Sequence, residues 1–291
     1  MLDGMYTLGG LSSGHRLFVN LQVSAIAEWH NAIMLLGLVA GGMTILGLVL
    51  NYFITRNIKP AKEPQDDKSK VALEVERYRK PTRILHWTCA GAFIILFFTG
   101  ILLFIPGLRD WAQDGWPFVL HLVAGVILIV VPLIYIPLNW KTTLRGIRDA
   151  LTWGKEDLDW LKAAPQYYYL GNEQAMPPQR YLNTFQKMWL LLVIISGPVF
   201  AISGIIMWAF QTIAPDALLQ FMIFLHDIAF ITTGTMLFVH IYMSVLHPMV
   251  RPLKTGAWSA MTRGKVSAEY AKSHHGKWYQ EISSSQETAN K

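Results

Sequence analysis

The chain alternates long apolar runs with shorter polar segments, and five of the runs are long enough to cross a membrane. A transmembrane helix needs about 20 mostly apolar residues. The runs that meet this length are Ala32–Ile54, Ile84–Ile105, Phe118–Leu138, Met188–Gln211 and Leu218–His247. We number them spans one to five. The pattern predicts an all-α integral membrane protein in which one extra N-terminal helix precedes a bundle of four transmembrane helices.

The same pattern divides the chain into five parts. They are an N-terminal segment (1–31), a leading transmembrane helix (32–54), a linker (55–83), a four-helix core (84–247) and a tail (248–291). The linker carries Pro60 and Pro64 among mixed charges, which is typical of a solvated segment. Residues Asn139–Lys187 form a long connection for a compact bundle, so we regard them as a candidate functional element.

Basic residues are distributed unevenly around the five spans. All 25 Lys and Arg lie outside them. Nine fall in Thr55–Arg83, seven in Asn139–Lys187 and seven in the tail from Pro248, whereas only Arg16 and Arg109 fall in the alternate segments. Because cytoplasmic loops of membrane proteins are enriched in Lys and Arg, this asymmetry predicts an outer N-terminus and a cytoplasmic C-terminus. It also accounts for the formal charge of +6 without nucleic-acid binding.

Composition narrows the function further. The chain is 53% hydrophobic and only 15% charged, whereas a soluble domain is about 25% charged. Its single cysteine, Cys89, excludes a disulfide framework. It also excludes an iron–sulfur cluster held by this chain, because such clusters need about four thiolates. We therefore expect no substrate oxidation by this chain alone.

Four of the nine histidines lie at or within the core spans, where a polar side chain is costly without a partner. They are His86, His121, His226 and His240. His226 and His240 are 14 residues apart, which is about 40° short of four helical turns, so both lie on one face of span five. Their separation along the axis is about 21 Å, within a hydrocarbon layer about 30 Å thick.

The predicted topology groups these histidines by depth. Span two begins at the cytoplasmic side and span three at the outer side, while span five runs inward. His121 therefore matches His226 near the outer surface, and His86 matches His240 near the cytoplasm. Two imidazoles from different helices suit axial ligation of a haem iron. The pattern predicts two stacked haems, each without an open coordination position, which favours electron transfer.

Other uses of the histidines were weighed. His247 competes with His240, but its axial distance from His226 is about 31 Å, at the edge of the hydrocarbon layer, so we expect it to be interfacial. His15, His30, His274 and His275 are expected to be solvated or to contact a partner. A zinc site needs three or four close ligands, and a proton-relay transporter predicts intramembrane carboxylates and broken helices. Two histidine pairs about 20 Å apart do not make a zinc site, and only the shallow Asp227 and Pro198 offer anything of the relay pattern.

Several short segments make the chain, from about Val75 to Ile282, resemble the cytochrome b (gamma) subunits of membrane-bound formate dehydrogenases. These subunits belong to the dihaem b-type cytochromes, which include hydrogenase cytochrome b subunits. The segments are Thr82-Arg83-Ile84-Leu85-His86-Trp87, His121 at the start of span three, Leu182-Asn183-Thr184-Phe185-Gln186-Lys187, His226, Phe238-Val239-His240-Ile241-Tyr242, and Gly264-Lys265-Val266, Tyr270-Ala271, His274-His275 and Trp278-Tyr279 in the tail.

The resemblance implies two haem b groups, with His121 and His226 holding the outer one and His86 and His240 the cytoplasmic one. It implies reduction of a quinone, menaquinone or ubiquinone, near the cytoplasmic haem, with Asn183, Gln186 and His240 at the quinone site. It also implies an iron–sulfur (beta) subunit and a molybdenum or tungsten catalytic (alpha) subunit as partners, in the inner membrane of a bacterium.

Some roles remain open on the residues alone. Asn183 is equally suited to cap the helix of span four. The basic residues Arg83, Arg180 and Lys187 are candidates to pair with haem propionates, but each also fits the positive-inside pattern. The nearest alternative function is the cytochrome b subunit of a hydrogenase or of another quinone-linked oxidoreductase.

Overall fold

A computed structural model describes residues 25–58, 74–250 and 256–289. It confirms the all-α membrane fold: within the described residues, five helices are long and apolar enough to span a membrane. They are α1 (Ala25–Thr55), α2 (Lys80–Phe104), α4 (Trp116–Leu138), α7 (Thr184–Ala209) and α8 (Asp216–Ile241), and they correspond to spans one to five. Many of their large apolar side chains are exposed, such as Leu133 and Ile195. This exposure is expected of surfaces that face lipid rather than water.

The remaining elements are short. They are β1 (Glu74–Glu76), α3 (Pro106–Gln113), α5 (Trp140–Leu151), α6 (Lys155–Leu170), a 3-10 turn (Glu173–Ala175), a π turn (Tyr242–Leu246), a second 3-10 turn (Pro248–Val250), α9 (Ala257–Thr262), β2 (Lys265–Ser267), α10 (Ala268–His274) and α11 (Gly276–Ala289). The segment predicted as one long connection, Asn139–Lys187, therefore contains two helices. Trp160 and Tyr167 of α6 are buried, whereas Leu158 and Leu170 on the same helix are exposed.

The chain forms two compact units. The first contains Trp87–Ile134, Val193–Met236 and the described part of Met1–Met43. In this unit Arg109 is buried and donates hydrogen bonds to the carbonyls of Leu103 (3.0 Å) and Phe104 (3.2 Å). These are carbonyls at the end of α2, which lack partners within the helix, so Arg109 closes the helix terminus.

The second unit contains Thr44–His86, Tyr135–Leu192 and Leu237–Lys291. Its two strands, β1 and β2, pair antiparallel with Val75 opposite Val266. Val266 belongs to a small apolar core with Ala260, Ala271 and Trp278. The tail thus folds on the residues that precede α2 instead of extending into solvent.

The leading helix α1 is fixed to the second unit near its C-terminal end. Asn51 is buried, and its side-chain oxygen accepts a hydrogen bond from the Tyr242 hydroxyl in the π turn. Thr55, also buried, donates to the Asn51 carbonyl (2.7 Å). A buried amide oxygen needs such a partner, so this contact specifies where α1 ends against the turn.

Candidate functional site

Two of the membrane histidines face each other in the first unit. His121, in the second turn of α4, and His226, in the middle of α8, have ring centroids 6.4 Å apart and planes inclined by 47°. Both residues are only partly buried. The rings are thus close together but not stacked, and a gap separates them.

The ring of His121 is held by two consecutive residues of α2. The Thr99 hydroxyl lies 2.9 Å from His121 Nδ1, and it also lies 2.8 Å from the Ile95 carbonyl of its own helix. A side-chain Cβ on the next residue, Gly100, would lie 3.7 Å from Cε1 of the same ring. That distance is an ordinary van der Waals contact, and the tighter neighbour of such a Cβ is Cε2 of Phe230 at 3.3 Å.

The ring of His226 has the same kind of neighbours on α7. The Ser203 hydroxyl lies 2.8 Å from His226 Nδ1 and 2.6 Å from the Val199 carbonyl. A Cβ on Gly204 would lie 3.9 Å from His226 Cε1. A hydroxyl residue followed by glycine therefore adjoins each of the two rings.

The spacing of the facing rings fits a metal ion between them. Two imidazole nitrogens that bind one metal at about 2 Å each lie about 4 Å apart. The centroid of each ring lies about 1 Å behind its nitrogen, so the two centroids are then about 6 to 6.5 Å apart. The observed distance is 6.4 Å. Two opposed imidazoles with small residues beside them are the donor set of a bis-histidine haem.

The other two membrane histidines face each other in the second unit. His86 of α2 and His240 of α8 also have ring centroids 6.4 Å apart, with planes inclined by 51°. The indole of Trp189 on α7 stacks on the His240 ring at 4.6 Å and 13°. The structure therefore brings together the two pairs that depth alone suggested, and the second pair is packed against an aromatic ring.

Asn183 and Gln186 form the N-terminal cap of α7. The Asn183 side-chain oxygen accepts a hydrogen bond from the backbone N–H of Gln186 (2.9 Å). The Gln186 side-chain oxygen accepts one from the backbone N–H of Asn183 (3.1 Å). This reciprocal capping box satisfies two backbone donors at the helix start. The capping box uses only the two side-chain oxygens. The N–H donors of the two side-chain NH₂ groups are not part of it.

Lys187 lies in a buried polar network next to this cap. Its ammonium contacts both carboxylate oxygens of Asp157 (2.9 and 3.0 Å) and donates to the Thr152 carbonyl (2.8 Å). Thr184 donates to the same carboxylate (2.9 Å). Burial alone would raise the pKa of Asp157, but hydrogen bonds from Lys187, the Gly154 amide and Thr184 outweigh it and lower the pKa below its usual value.

The two arginines proposed for haem propionates are placed differently. Arg180 is half-exposed and pairs with Asp149 at 3.0 Å. Arg83 lies one turn before His86 on α2 and donates to the Thr262 carbonyl. Both guanidinium groups retain further N–H donors beyond these contacts, because guanidinium has five.

The histidine just after the π turn, His247, is packed inside the second unit. It is fully buried between the rings of Tyr168 (5.0 Å) and Tyr242 (5.4 Å). Its position at the edge of the hydrocarbon layer stays a prediction.

The two tail histidines, His274 and His275, were expected to be solvated or to contact a partner, but they pack inside the chain. His274 stacks on Tyr270 at 4.3 Å, lies 2.9 Å from the Tyr167 hydroxyl, and has its pKa lowered by burial to about 4. His275 is buried and its ring lies 3.0 Å from the Arg180 carbonyl. They are core residues of the folded tail. The side chains of His15 and His30 fall outside the described residues.

These features define a membrane-bound b-type cytochrome. Three of the five apolar helices, α2, α4 and α8, carry the two facing histidine pairs, and the described residues contain no group of three or more His, Cys, Asp or Glu side chains arranged to hold a metal ion. The chain belongs to the prokaryotic cytochrome b561 family, whose model matches residues 77–264. Family membership implies haem b as the prosthetic group.

Curated relatives cover most of the chain. The formate dehydrogenase cytochrome b556 subunit of Haemophilus influenzae is 28% identical over 212 residues, covering 70% of this chain and 82% of the relative. In Escherichia coli K12, the cytochrome b556(fdo) subunit is 27% identical over 72% of this chain and 93% of its own length. The nitrate-inducible cytochrome b556(Fdn) subunit of the same strain is 29% identical over 69% and 88%.

Our reading of the sequence missed Thr99 and Ser203. The signal was present as a repeated tripeptide: Thr99-Gly100-Ile101 in span two and Ser203-Gly204-Ile205 in span four. A hydroxyl next to glycine in an apolar helix ordinarily indicates back-bonding and helix packing. Only the positions of the histidines on the neighbouring helices give the repeat its meaning.

Proposed function

We propose that this chain is the membrane anchor and electron-transfer subunit of a respiratory formate dehydrogenase. The observation that carries the proposal is the presence of two facing histidine pairs, each with ring centroids 6.4 Å apart. His121 and His226 hold one haem b, and His86 and His240 hold a second. Bound haem supplies a one-electron carrier, and two axial imidazoles leave no open position for oxygen.

The helix that donates one ligand to each haem supports a path across the membrane. His226 and His240 both belong to α8, and the 14 residues between them correspond to a rise of about 21 Å. The distribution of Lys and Arg supports an outer position for His121 and His226 and a cytoplasmic position for His86 and His240. In the bacterial inner membrane, haems held at these two positions would carry electrons from the outer pair to the cytoplasmic pair.

The quinone site proposed for the cytoplasmic side comprises Asn183, Gln186 and His240. The side-chain NH₂ groups of Asn183 and Gln186 donate hydrogen bonds to a quinone carbonyl while their oxygens cap α7. Trp189, which stacks on His240 of α8, lies three residues after Gln186 on α7, so the amides and the haem ligand adjoin the same indole. Protons for menaquinone or ubiquinone come from cytoplasmic water.

Charge partners for the haem propionates are proposed to be Arg83 and Arg180. Arg83 is three residues before His86 and therefore lies on nearly the same face of α2. The ammonium of Lys187 contacts three oxygens in a closed network, so a propionate would have to displace Asp157 to reach it. We therefore assign Lys187 to the support of α7 rather than to the haem.

Electrons are proposed to come from partner subunits. The relatives are named as subunits of formate dehydrogenase, and the single cysteine of this chain cannot hold an iron–sulfur cluster. An iron–sulfur (beta) subunit on the outer side and a molybdenum or tungsten (alpha) subunit that oxidises formate complete the complex. This chain is the non-catalytic subunit of that formate:quinone oxidoreductase.

Purification of the tagged chain in mild detergent tests the proposal. We expect two haems b per chain, reduction of both by formate, and the two partner subunits in the same preparation. Reduction by hydrogen with a hydrogenase partner would assign the chain to the alternative complex. A preparation without haem would contradict both.

Variants test the ligand assignment in the same complex. His121→Ala and His226→Ala are expected to lose one and the same haem, whereas His86→Ala and His240→Ala lose the other. His247→Ala, a buried histidine near the end of the same helix, serves as the control and retains both haems. Loss of a haem in the control with retention in His240→Ala would refute the pairing.

A further inference from the structure

We propose that Thr99 and Ser203 are positioning residues that fix the tautomer of the haem ligands His121 and His226 and set the redox potential of the haem between them. This inference rests on the proposed ligation by these two histidines. The inference adds two residues to this haem site. Thr99 lies on α2 and Ser203 on α7, whereas the proposed ligands of this haem lie on α4 and α8.

The direction of each hydrogen bond follows from counting protons. A hydroxyl has one hydrogen and two acceptor lone pairs. The Thr99 hydroxyl lies 2.8 Å from the Ile95 carbonyl, and the Ser203 hydroxyl lies 2.6 Å from the Val199 carbonyl. A carbonyl can only accept, so each hydroxyl hydrogen is directed to its own helix. The hydroxyl oxygen then accepts from the nearby histidine, which must carry its proton on Nδ1.

That tautomer is the one that iron ligation requires. With the proton on Nδ1, the lone pair of Nε2 is available to the metal. With this proton placement, His121 Nδ1 would be the donor to the Thr99 hydroxyl 2.9 Å away, and His226 Nδ1 the donor to the Ser203 hydroxyl 2.8 Å away. Second-shell acceptors of this kind orient metal-bound histidines and make them more basic.

Burial makes these hydroxyls effective. Thr99 is 4% exposed and Ser203 is 1% exposed, so water does not compete for the histidine protons. A hydrogen bond is electrostatically stronger in such surroundings than in water. Because a more basic ligand stabilises ferric over ferrous iron, both hydroxyls lower the potential of this haem.

The two sites repeat one design. In each case the hydroxyl lies within hydrogen-bond distance of Nδ1, and a Cβ on the glycine that follows would be in ordinary van der Waals contact with Cε1 of the same ring, at 3.7 and 3.9 Å. The repeat places a polar acceptor behind the ring and the smallest residue next to its edge. Both features serve a histidine that must be held firmly while a large planar group lies against it.

Potentiometric titration of the haem absorbance tests the proposal in the intact complex. The affected haem is identified first as the one lost in His121→Ala. In Thr99→Val and Ser203→Ala we expect both haems to be retained and the potential of that haem alone to shift upward. Thr99→Ser and Ser203→Thr are expected to restore the wild-type potential. The low-spin EPR signal of the same haem is expected to change in the first two variants only.

Thr232 provides a control away from the histidines. Its hydroxyl donates to the Ile228 carbonyl at 2.6 Å, the same back-bonded geometry, but the residue is exposed and lies about 120° around α8 from His226. Thr232→Val should leave both potentials unchanged. If Thr99→Val loses the haem whereas Thr99→Ser and Thr232→Val retain it, the hydroxyl is again shown to position the ligand.

Two results would overturn the inference. One is unchanged potentials in both Thr99→Val and Ser203→Ala. The other is a shift confined to the haem that His86→Ala removes. If His121→Ala itself retained both haems, the ligand assignment would fail instead, and the two failures are therefore distinguishable.

Discussion

Replacing Lys187 by methionine should destabilise the protein far more than loss of an ordinary ion pair. Lys187 and Asp157 are both essentially unexposed, at 1% and 0% of their side-chain surface. Methionine has about the length of lysine but no charge, so Asp157 would remain buried with only Thr184 and the Gly154 amide as donors. Breaking a buried pair by removing one partner costs about 3–5 kcal/mol.

A substitution on α6, the helix that carries Asp157, gives the comparison. Lys162 and Asp159 form a pair at 3.9 Å whose lysine side chain is 80% exposed. Exposed pairs contribute about 0–1 kcal/mol, so Lys162→Met should lower the free energy of unfolding by no more than that. The double variant Lys187→Met/Asp157→Leu removes both buried charges, and its loss should be smaller than that of Lys187→Met alone.

Equilibrium unfolding in mixed detergent micelles, followed by tryptophan fluorescence, measures these differences. The reasoning is refuted if Lys187→Met loses no more stability than Lys162→Met. It is also refuted if the double variant is less stable than the single one, because an unpaired buried carboxylate would then not be the source of the loss.

Three further outcomes are expected. Gly100→Val should lower the occupancy of the haem bound by His121 and leave the other unchanged, measured by haem content, because a Cβ alone would lie 3.3 Å from Cε2 of Phe230 and in contact with the His121 ring, so the added methyl groups must displace one of the two; full retention of both haems would contradict this. Trp189→Leu should weaken retention of the haem held by His240 by about 0.5–1.5 kcal/mol, the value of an aromatic pair, seen as faster haem loss on dilution. Stability should fall in acid: since the folded pKa of Asp157 is depressed, its contribution is present above the unfolded value of about 3.9 and is lost as pH falls through the lower folded value, which thermal unfolding across that range measures.

The membrane architecture and the histidine pairs were accessible from the sequence for definite reasons. Twenty-residue apolar runs have few structural solutions, since every backbone group must be satisfied within the helix. The angular and axial position of His240 relative to His226 is fixed once a straight helix is assumed. The depth of His86 and His121 then follows from the direction of their spans.

What the sequence did not reveal depends on contacts between elements. The hydroxyl groups of Thr99 and Ser203 gain their role from rings on other helices, and residue spacing within one helix carries no information about that. His274 and His275 were expected to be solvated or to contact a partner because their segments are short and polar. They are buried because the tail folds into a core of its own, which periodicity over so few residues cannot indicate.

The pairing of β1 with β2 has a consequence for how the chain can be shortened or extended. It joins the residue run just before α2 to the run well after α8, so the four core helices lie within one closed loop of backbone. Deleting the C-terminal region from Lys265 onward would expose β1 as an unpaired strand edge, a surface prone to association. Fusion beyond Ala289 leaves that closure intact, which makes the far C-terminus the suitable point for an affinity handle.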